Sequence, residues 1–316
     1  MPIPTDEERL GTTLADKYAL ERVLGSGGMG TVFEARHAWT GRRVAVKLLK
    51  PALAAERNVR ERFLREARAA AALEHDNAVS VLDMGETDDG TVFLVLELLR
   101  GRTLADLLAE RGRLGADEAL SILLPVIDAL GAAHARGFLH RDVKPENIFL
   151  TASAAGVLVP KLLDFGLAKA LVESPSSVQT ATGLVLGTPH YMSPEQASGA
   201  RELTPATDVW SAGVVLYECL SGQLPFGGST LTAVLLAIVS SPAPPLATRA
   251  PDLSPALAAA VDRALATAPA DRYASMAALR EALEEALAGA RPSGQIAAPL
   301  TPSALGIELP ATREAL

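Results

Sequence analysis

Residues 140–147 constrain this chain more than any other stretch of its sequence. They read His-Arg-Asp-Val-Lys-Pro-Glu-Asn and lie between two apolar runs, so a core packed on both sides can hold their charges in fixed positions. Asp142 can accept a proton from a hydroxyl, Lys144 can stabilise a phosphoryl oxygen, and Asn147 can bind a divalent cation through its amide oxygen. The alternative is a charged turn between two helices, which requires none of these residues in this order. We therefore interpret the segment as the chemical centre of the chain.

Composition and charge argue against several classes of protein. The net charge of −8 argues against a nucleic-acid-binding surface, and no apolar run reaches the roughly 18 residues of a membrane span. The first residues lack the basic and apolar regions of a signal peptide. The single cysteine, Cys219, lies in an apolar run, so we predict a core residue, no internal disulfide and a cytoplasmic protein. With 316 residues, the chain is long enough for two domains with separate cores.

A glycine-rich segment, residues 25–30, follows a predicted strand over residues 18–24. Glycines allow backbone amides to approach phosphates closely, and a similar spacing occurs in dinucleotide-binding sites. In those sites the glycines open a helix, and an acidic residue follows about 20 positions later. Here residues 31–35 favour a strand, and a further apolar strand ends at Lys47. The sequence therefore predicts a loop that joins two antiparallel strands and covers phosphates, built from Gly25, Ser26, Gly27, Gly28, Met29 and Gly30.

Lys47 is the next candidate residue, because a lysine is a compact point charge that suits a narrow site over phosphates. Only six lysines occur in the chain, whereas arginine is used freely. Residues 60–73 have helical periodicity and can supply a carboxylate as the partner of Lys47. We choose Glu66 over Glu61, since Glu66 adjoins the apolar face of this helix. The alternative is that Lys47 and both glutamates are solvated.

The remainder of the chain contains a few strands and is otherwise mainly helical. Strands are predicted over residues 77–84, 91–97, 148–150 and 157–163, the last two as a hairpin. Helices are predicted over residues 116–136, 230–239, 254–266 and 275–288. Thr103 is predicted to cap a further helix, with an acidic residue three positions later. Asp164 follows the hairpin, so its carboxylate is predicted at a strand end, where it can bind a metal ion that bridges phosphates.

Together these segments resemble the protein kinase superfamily, specifically the bacterial eukaryotic-like serine/threonine kinases, over residues 18–288. The resemblance depends on the glycine segment, on residues 140–147, and on the motifs Asp-Phe-Gly at 164–166 and Met-Ser-Pro-Glu at 192–195. It implies an α+β, bilobal kinase fold, in which a small N-terminal lobe carries a five-stranded antiparallel sheet and one helix, and a larger C-terminal lobe is mainly helical. The implied boundaries are an N-terminal arm at 1–17, lobes at 18–97 and 98–289, and a disordered tail at 290–316.

The resemblance implies transfer of the ATP γ-phosphoryl group to a serine or threonine hydroxyl of a protein substrate. Asp142 orients the hydroxyl and accepts its proton, and Lys144 stabilises the phosphoryl group. Lys47, held by Glu66, binds the α- and β-phosphates. Asn147 and Asp164 hold Mg²⁺, with Mn²⁺ as an alternative, in one metal–nucleotide pocket. The residues implied around adenine are Val32, Ala45 and Phe149, with Leu96 as gatekeeper and the Glu97 carbonyl and Leu99 amide facing the base.

The segment that ends at residues 194–195 corresponds by the same resemblance to an activation loop. Thr180 and Thr182 match positions that are phosphorylated in bacterial kinases of this type. A phosphate there can pair with Arg141 and order the loop. The resemblance therefore implies regulation by autophosphorylation, for which a transient homodimer is one arrangement.

The resemblance also implies two structural contacts, and two other functions are possible for a chain of this fold. Asp208 is expected to brace the backbone of residues 140–147, and Arg272 to pair with Glu195. A pseudokinase scaffold usually lacks the lysine or a metal-binding residue, and this chain retains all of them. The segment 187–195, which receives a peptide in protein kinases, argues against a small-molecule kinase of related fold.

Overall fold

The computed structural model describes residues 5–153, 155–164, 189–290 and 301–306. These residues belong to two compact units. The first unit contains residues 5–74 and 79–99, and the second contains residues 75–78 together with the described residues from 100 onward. Among the described residues, no helix is both long enough and apolar enough to span a membrane.

The first unit is built on one antiparallel sheet, whose strands lie in the order β1-β2-β3-β4-β6-β5. The strands are β1 Thr13–Leu14, β2 Tyr18–Ser26, β3 Gly30–His37, β4 Arg43–Leu49, β5 Val81–Glu86 and β6 Val92–Glu97. Two helices, α1 Pro51–Ala54 and α2 Arg57–Ala71, connect β4 to β5. The five predicted strands correspond to β2–β6. Their inward-facing side chains form a buried core that includes Leu20, Phe33, Val46 and Val95.

Residues 5–17, which are predicted to form a loosely attached arm, contact the sheet instead. Thr13 and Leu14 pair with β2 as an additional edge strand, and the Leu14 side chain is buried. The Thr31 hydroxyl donates to Asp6 Oδ2 at 2.7 Å, which attaches the preceding turn to β3. A strand of two residues is too short to show the alternation by which strands are recognised in a sequence.

The second unit carries a small sheet and most of the helices. The sheet pairs β7 Gly101–Thr103, β8 Ile148–Ala152 and β9 Leu158–Leu162 in that order. The helices are α3 Leu104–Arg111, α4 Ala116–His134, α5 Pro194–Ala197, α6 Ala206–Ser221, α7 Leu231–Ser240, α8 Leu246–Arg249, α9 Pro255–Ala264 and α10 Met276–Ala290. Short 3₁₀ turns occur at Pro145–Asn147, Pro189–Tyr191, Pro269–Asp271 and Pro302–Leu305.

Residues 75–78 lie in the second unit, although the sequence places them before the lobe boundary. The Leu162 amide donates to Asn77 O at 2.8 Å, and Asn77 Nδ2 donates to Pro160 O at 2.8 Å. Ala78 also forms an isolated β-bridge with Leu162. These hydrogen bonds attach the segment to β9, so it packs with the strand that leads to Asp164.

Helix α6 forms the centre of the second unit. Nearly all of its residues are buried, including Cys219, as expected for a core cysteine. Helix α4 packs against α6 and α10, and it continues through Pro125 without interruption. The predicted cap of α3 is confirmed, since the Thr103 hydroxyl accepts from the Asp106 amide and the Asp106 carboxylate accepts from the Thr103 amide.

The C-terminal segment differs in part from the predicted disordered tail. Helix α10 extends to Ala290, and the turn Pro302–Leu305 is ordered against the second unit, with Leu305 only 1% exposed. Residues 291–300 and 307–316 lie outside the described residues. A single buried leucine in a segment rich in proline and alanine produces no periodic pattern, so the sequence alone does not reveal this contact.

Candidate active site

Two polar side chains of the second unit, those of Lys144 and Asn147, converge on the carboxylate of Asp142. Lys144 Nζ lies 2.8 Å from Asp142 Oδ2. Asn147 Nδ2 donates to the Asp142 backbone carbonyl at 2.8 Å and to its Oδ2 at 3.0 Å. The 3₁₀ turn Pro145–Asn147 folds the chain back, which brings position 147 beside position 142. The turn therefore places a proton acceptor, a cation and an amide next to one another, as the sequence predicts for this segment.

Asp164 is brought to the same place by the β8–β9 pair. The Leu163 amide donates to the Asn147 carbonyl at 2.8 Å, directly before β8 begins. His140 Nε2 lies 2.8 Å from the carbonyl oxygen of the same residue, Leu163. Asp164 follows immediately with a φ of 52°, a left-handed conformation that aspartate tolerates better than most residues. Two hydrogen bonds to Leu163 thus hold Asp164 beside the loop that carries Asp142 and Asn147.

Asp208, near the start of α6, fixes the backbone of the loop. Its Oδ2 accepts from the His140 amide at 2.8 Å, and its Oδ1 accepts from the Arg141 amide at 2.7 Å. His134 Nε2 lies 2.7 Å from the same Oδ2. Burial alone would raise the pKa of Asp208, but the hydrogen bonds from His134 and from the loop outweigh it, so the pKa is lowered. Arg141 is held at a φ of 63°, which these bonds help to maintain. The predicted brace is confirmed.

We expect Asp208→Asn to destabilise the chain by about 1–3 kcal/mol, the usual cost of leaving a buried hydrogen-bonding group unsatisfied. The amide nitrogen of asparagine presents a donor where two backbone amides and a histidine now require acceptors. Urea unfolding measures the loss, and hydrogen exchange at residues 140–141 should accelerate. The control is Asp252→Asn, an exposed carboxylate paired with Arg113 at 3.1 Å, which should leave the unfolding free energy nearly unchanged. Unchanged exchange at residues 140–141 in Asp208→Asn would contradict the brace.

A buried ion pair fixes the segment after residue 189. Arg272 is fully buried and binds Glu195 through two hydrogen bonds, at 2.8 Å and 2.9 Å. Arg272 also donates to three backbone carbonyls and stacks over the Trp210 ring, 4.9 Å from its centroid. Burial opposes ionisation of Glu195, but the hydrogen bonds from Arg272 and Thr207 lower its pKa. The predicted pair is confirmed, and it fastens α5 to the helical core.

Helix α5 is connected in turn to the loop that carries Asp142. Gln196 Nε2 donates to the Arg141 carbonyl at 2.9 Å. Ser193 and Gln196 form a capping box, so the Gln196 side chain has a fixed orientation at the start of α5. Gln196 and His134 are not predicted from the sequence. Each contacts the loop or its brace from a distant part of the chain, and no local pattern marks such residues.

Tyr191 anchors the 3₁₀ turn Pro189–Tyr191 to α6. Its hydroxyl donates to Glu218 Oε2 at 2.7 Å, and burial together with this carboxylate raises the pKa of Tyr191. Burial also raises the pKa of Glu218, where the Tyr191 hydrogen bond acts in the opposite direction and the nearby Glu146 adds to the increase. Ser211 Oγ donates to the Tyr191 carbonyl at 2.8 Å. Residues 189–191 are therefore held by both side chain and backbone.

The glycine segment of the first unit joins two antiparallel strands, as predicted. Gly25 pairs with Val32 and Ser26 with Thr31, and the Gly27 amide donates to the Gly30 carbonyl at 2.9 Å. Gly30 has no room for a side chain, because a Cβ there would lie 2.0 Å from the Leu48 carbonyl oxygen. Strand β3, and not a helix, follows the glycines, which argues against the dinucleotide-binding alternative.

Lys47 lies in the middle of the sheet, on β4, and is 7% exposed. Its neighbours in the register are Val32 on β3 and Leu94 on β6. Glu66 lies on α2 and is half-buried, next to the buried Phe63 and Ala67. Glu61 instead forms an exposed ion pair with Arg57 at 2.7 Å, one turn away on the same helix. This surface pairing supports the choice of Glu66 as the functional carboxylate.

The other predicted nucleotide contacts are distributed over both units. The first unit contains Val32, Ala45, Leu96, Glu97 and Leu99, whereas the second contains Phe149, on β8. Strand β6 ends at Glu97, whose Oε1 accepts from the Ser80 amide at 2.8 Å, so its backbone position is fixed. The motif residues 165–166 and the predicted phosphorylation positions Thr180 and Thr182 lie outside the described residues.

Comparison with known proteins identifies the family. The model of the protein kinase domain matches residues 18–283. The serine/threonine-protein kinase PknA of Mycobacterium tuberculosis is 42% identical over 288 residues, which cover 90% of this chain and 64% of that protein. The probable serine/threonine-protein kinase PknB of Corynebacterium glutamicum is 43% identical over 267 residues, covering 82% of this chain and 40% of that protein. The chain thus spans about two thirds or less of the length of these relatives.

The fold gives the same result. The crystal structure of the PknI kinase domain of Mycobacterium tuberculosis superimposes with a TM-score of 0.69 at 33% sequence identity, covering 87% of this chain and 98% of that one. The antiparallel sheet of the first unit and the helical second unit are those of the kinase fold. The chain belongs to the protein kinase domain family.

Proposed function

We propose that this chain transfers the γ-phosphoryl group of ATP to serine or threonine hydroxyls of protein substrates. The observation that carries the proposal is the convergence of Lys144 and Asn147 on Asp142, with Asp164 held beside them through Leu163. The relatives described above are serine/threonine-protein kinases, which supports the same reaction.

Within this proposal, the second unit supplies the groups that act on the acceptor hydroxyl. Asp142 orients the hydroxyl and accepts its proton, since its carboxylate is the acceptor on which the loop converges. Lys144, 2.8 Å from that carboxylate, stabilises the negative charge of the transferred phosphoryl group. Both side chains are largely buried, which strengthens their electrostatic effect. Positioning and charge stabilisation account for most of the catalysis in phosphoryl transfer.

The residues present fit a magnesium ion. The side-chain nitrogen of Asn147 donates hydrogen bonds to Asp142. The side-chain oxygen of Asn147 is therefore the atom that can bind a cation. Asp164 adds a carboxylate, and hard oxygen ligands of this kind are those that Mg²⁺ and Mn²⁺ prefer. Asn147 and Asp164 would hold the ion, and the bound ion would neutralise part of the negative charge of the phosphates.

The first unit supplies the groups that bind the nucleotide phosphates and base. Lys47, held by Glu66, is assigned to the α- and β-phosphates, and the backbone amides of residues 25–30 are assigned to cover them. Val32 and Ala45 are assigned to adenine together with Phe149 of the second unit. The Glu97 carbonyl and the Leu99 amide are assigned to the edge of the base.

We expect Lys47→Met to lower kcat/KM for ATP about 10²-fold or more, because a buried charge assigned to the phosphates is lost. Methionine keeps the length and the apolar stem of the side chain, so the sheet should remain folded. Initial rates of transfer from radiolabelled ATP to a generic basic protein measure the effect. Lys50→Met is the matched control, since Lys50 lies three residues later, after β4 has ended, and caps α1 without a side-chain hydrogen bond. Equal rates for Lys47→Met and Lys50→Met would contradict the assignment.

The basic-protein assay with Mg-ATP also tests the proposed function as a whole. Labelled protein supports the proposal. Absence of any label would indicate a scaffold, and label on a metabolite added in its place would indicate a small-molecule kinase.

We infer that the activity is regulated by autophosphorylation of the activation loop between transiently associated copies. Arg141 supports this inference. Its backbone is hydrogen-bonded to Asp208 and Gln196, so the position of this cationic residue in the loop is fixed. Thr180 and Thr182 are the assigned phosphorylation sites.

A further inference from the structure

The ordered part of the C-terminal segment lies against the second unit. Pro302–Leu305 form a 3₁₀ turn that ends at Gly306, whose φ of 66° lies in the left-handed region. Leu305 is 1% exposed, whereas Ser303 in the same turn is exposed. A four-residue turn is too short to bury its own leucine, so the surface on which the turn lies must cover it.

Arg102 identifies that surface. Its Nη1 donates to the Leu305 carbonyl at 3.5 Å, and a Cβ at Gly306 would lie 3.5 Å from the same nitrogen. The guanidinium is held in place by α3, because it binds Glu110 Oε2 at 2.6 Å and donates to the Asp106 carbonyl at 2.7 Å. Arg102 belongs to β7. The turn therefore lies where β7 and α3 meet, on a cation whose orientation does not depend on the turn.

We propose that the surface around Arg102, formed by β7 and α3, is a docking site for a Pro-x-x-Leu segment, and that residues 301–306 occupy it in cis. The recognition elements are the buried Leu305, the buried Pro302 that presets the first residue of the turn, and the carbonyl that Arg102 binds. Burial of the leucine supplies affinity, and the hydrogen bond fixes the direction of the segment.

Cis occupation determines which partners can use this surface. Ten residues, 291–300, separate the end of α10 from the docked turn in the sequence, so the turn binds this surface as part of the same chain and competes with any partner in trans. A protein in trans must therefore present the same Pro-x-x-Leu chemistry and bind tightly enough to displace the turn. The kind of partner that this surface fits is a short segment that forms the same turn and carries these two apolar anchors.

The surface is also connected to the strand that leaves the candidate active site. Strand β7 pairs with β8 through Arg102 opposite Leu150 and Thr103 opposite Phe149. Strand β8 begins directly after Asn147. An occupant of the docking surface thus contacts a strand that is hydrogen-bonded to the one following the catalytic segment. None of the residues assigned to phosphoryl transfer contributes a side chain to the docking contacts described above.

Hydrogen exchange in the full chain tests the cis contact. Leu305→Asp places a charge at the buried anchor, and Ser303→Asp places the same charge on the exposed side of the same turn. Amides of residues 302–306 should exchange at least about tenfold faster in Leu305→Asp than in the wild type or in Ser303→Asp. Equal exchange in the three proteins would overturn the proposal, because the turn would then be unprotected without docking.

Binding in trans tests the surface itself. A fluorescent peptide with the sequence of residues 299–308 should bind the Leu305→Asp chain at least about tenfold more tightly than the wild type, whose site is filled. Replacing leucine by aspartate in the peptide, or adding Arg102→Ala to the Leu305→Asp chain, should weaken that binding at least about tenfold. The proposal would be overturned if the peptide bound the wild type and Leu305→Asp with equal affinity, or if it did not bind at millimolar concentration. It would also be overturned if neither the aspartate in the peptide nor Arg102→Ala in the chain weakened binding.

Discussion

Replacing Asp142 by asparagine is expected to lower kcat about 10²–10⁴-fold, the range for loss of a positioned general base. Asparagine keeps the size of the side chain but cannot accept the hydroxyl proton. Its amide nitrogen would also face Lys144 Nζ or Asn147 Nδ2, two donors that now lie within 2.8 Å and 3.0 Å of Oδ2. Steady-state transfer from radiolabelled ATP to a basic protein gives kcat directly, and thermal unfolding verifies that the fold is retained.

The control for Asp142→Asn is again Asp252→Asn, which makes the same chemical change at an exposed position. It should leave turnover unchanged, since Asp252 is exposed and pairs with Arg113 at the surface of the second unit. Turnover of Asp142→Asn within threefold of the wild type would show that Asp142 is not the base and would remove the central assignment.

The same variant separates regulation from catalysis. Mass spectrometry after incubation with ATP should find phosphate on Thr180 or Thr182 of the wild type and none on Asp142→Asn alone. When tagged Asp142→Asn is mixed with wild type, its loop should gain phosphate, because transfer then occurs between two copies. An active wild type with an unmodified loop would exclude regulation by autophosphorylation and leave the transfer reaction intact.

Arg272→Ala is expected to destabilise the second unit by about 3–5 kcal/mol, the cost of breaking a buried ion pair by removing one partner. Glu195 would keep its charge in a half-buried place, and three carbonyls would lose their donor. Urea unfolding provides the measurement. Arg280→Ala is the control, since Arg280 pairs with Asp128 and Glu284 in a partly exposed position and should contribute about 0–1 kcal/mol. A loss below 1 kcal/mol for Arg272→Ala would contradict the structural role of the pair.

The pH dependence of the Arg272→Ala effect follows from the pKa of Glu195. In the wild type this pKa is lowered, so the stabilisation is present at neutral pH and is lost as the pH falls through the lowered value. Without Arg272 the largest remaining influence is burial, which raises the pKa, so the folded variant takes up the proton at a higher pH. The difference in unfolding free energy should therefore be largest near pH 7 and should narrow as the pH falls from the raised pKa of Glu195 in the variant to its lowered pKa in the wild type.

Much of the fold and of the candidate site could be predicted from the sequence, for physical reasons. Residues 140–147 form a local segment whose own turn brings Asp142, Lys144 and Asn147 together, so their order in the chain nearly determines their geometry. Strands β2–β6 alternate apolar and polar residues or follow turn signals, and helix α2 has a clear apolar face. The family resemblance added Asp208 and Arg272, whose contacts the structure confirms.

The contacts that the sequence did not reveal are those that depend on distant partners. His134 reaches Asp208 across 74 positions, and Gln196 reaches the Arg141 carbonyl across 55. Leu14 and Leu305 become buried because a surface far along the chain accepts them, and each belongs to an element too short to have a period. Propensity and patterning describe one element at a time, so they cannot report such tertiary contacts.

The separation between Glu195 and Arg272 also affects how the chain is made. The two residues are 77 positions apart, so the carboxylate leaves the ribosome well before its cation does. Until residue 272 emerges, α5 has no ion pair to hold it against α6. The Trp210 ring also lacks the Arg272 guanidinium that lies over it in the folded chain. A chaperone that binds nascent chains would find its target in this interval, which ends when residue 272 leaves the ribosome.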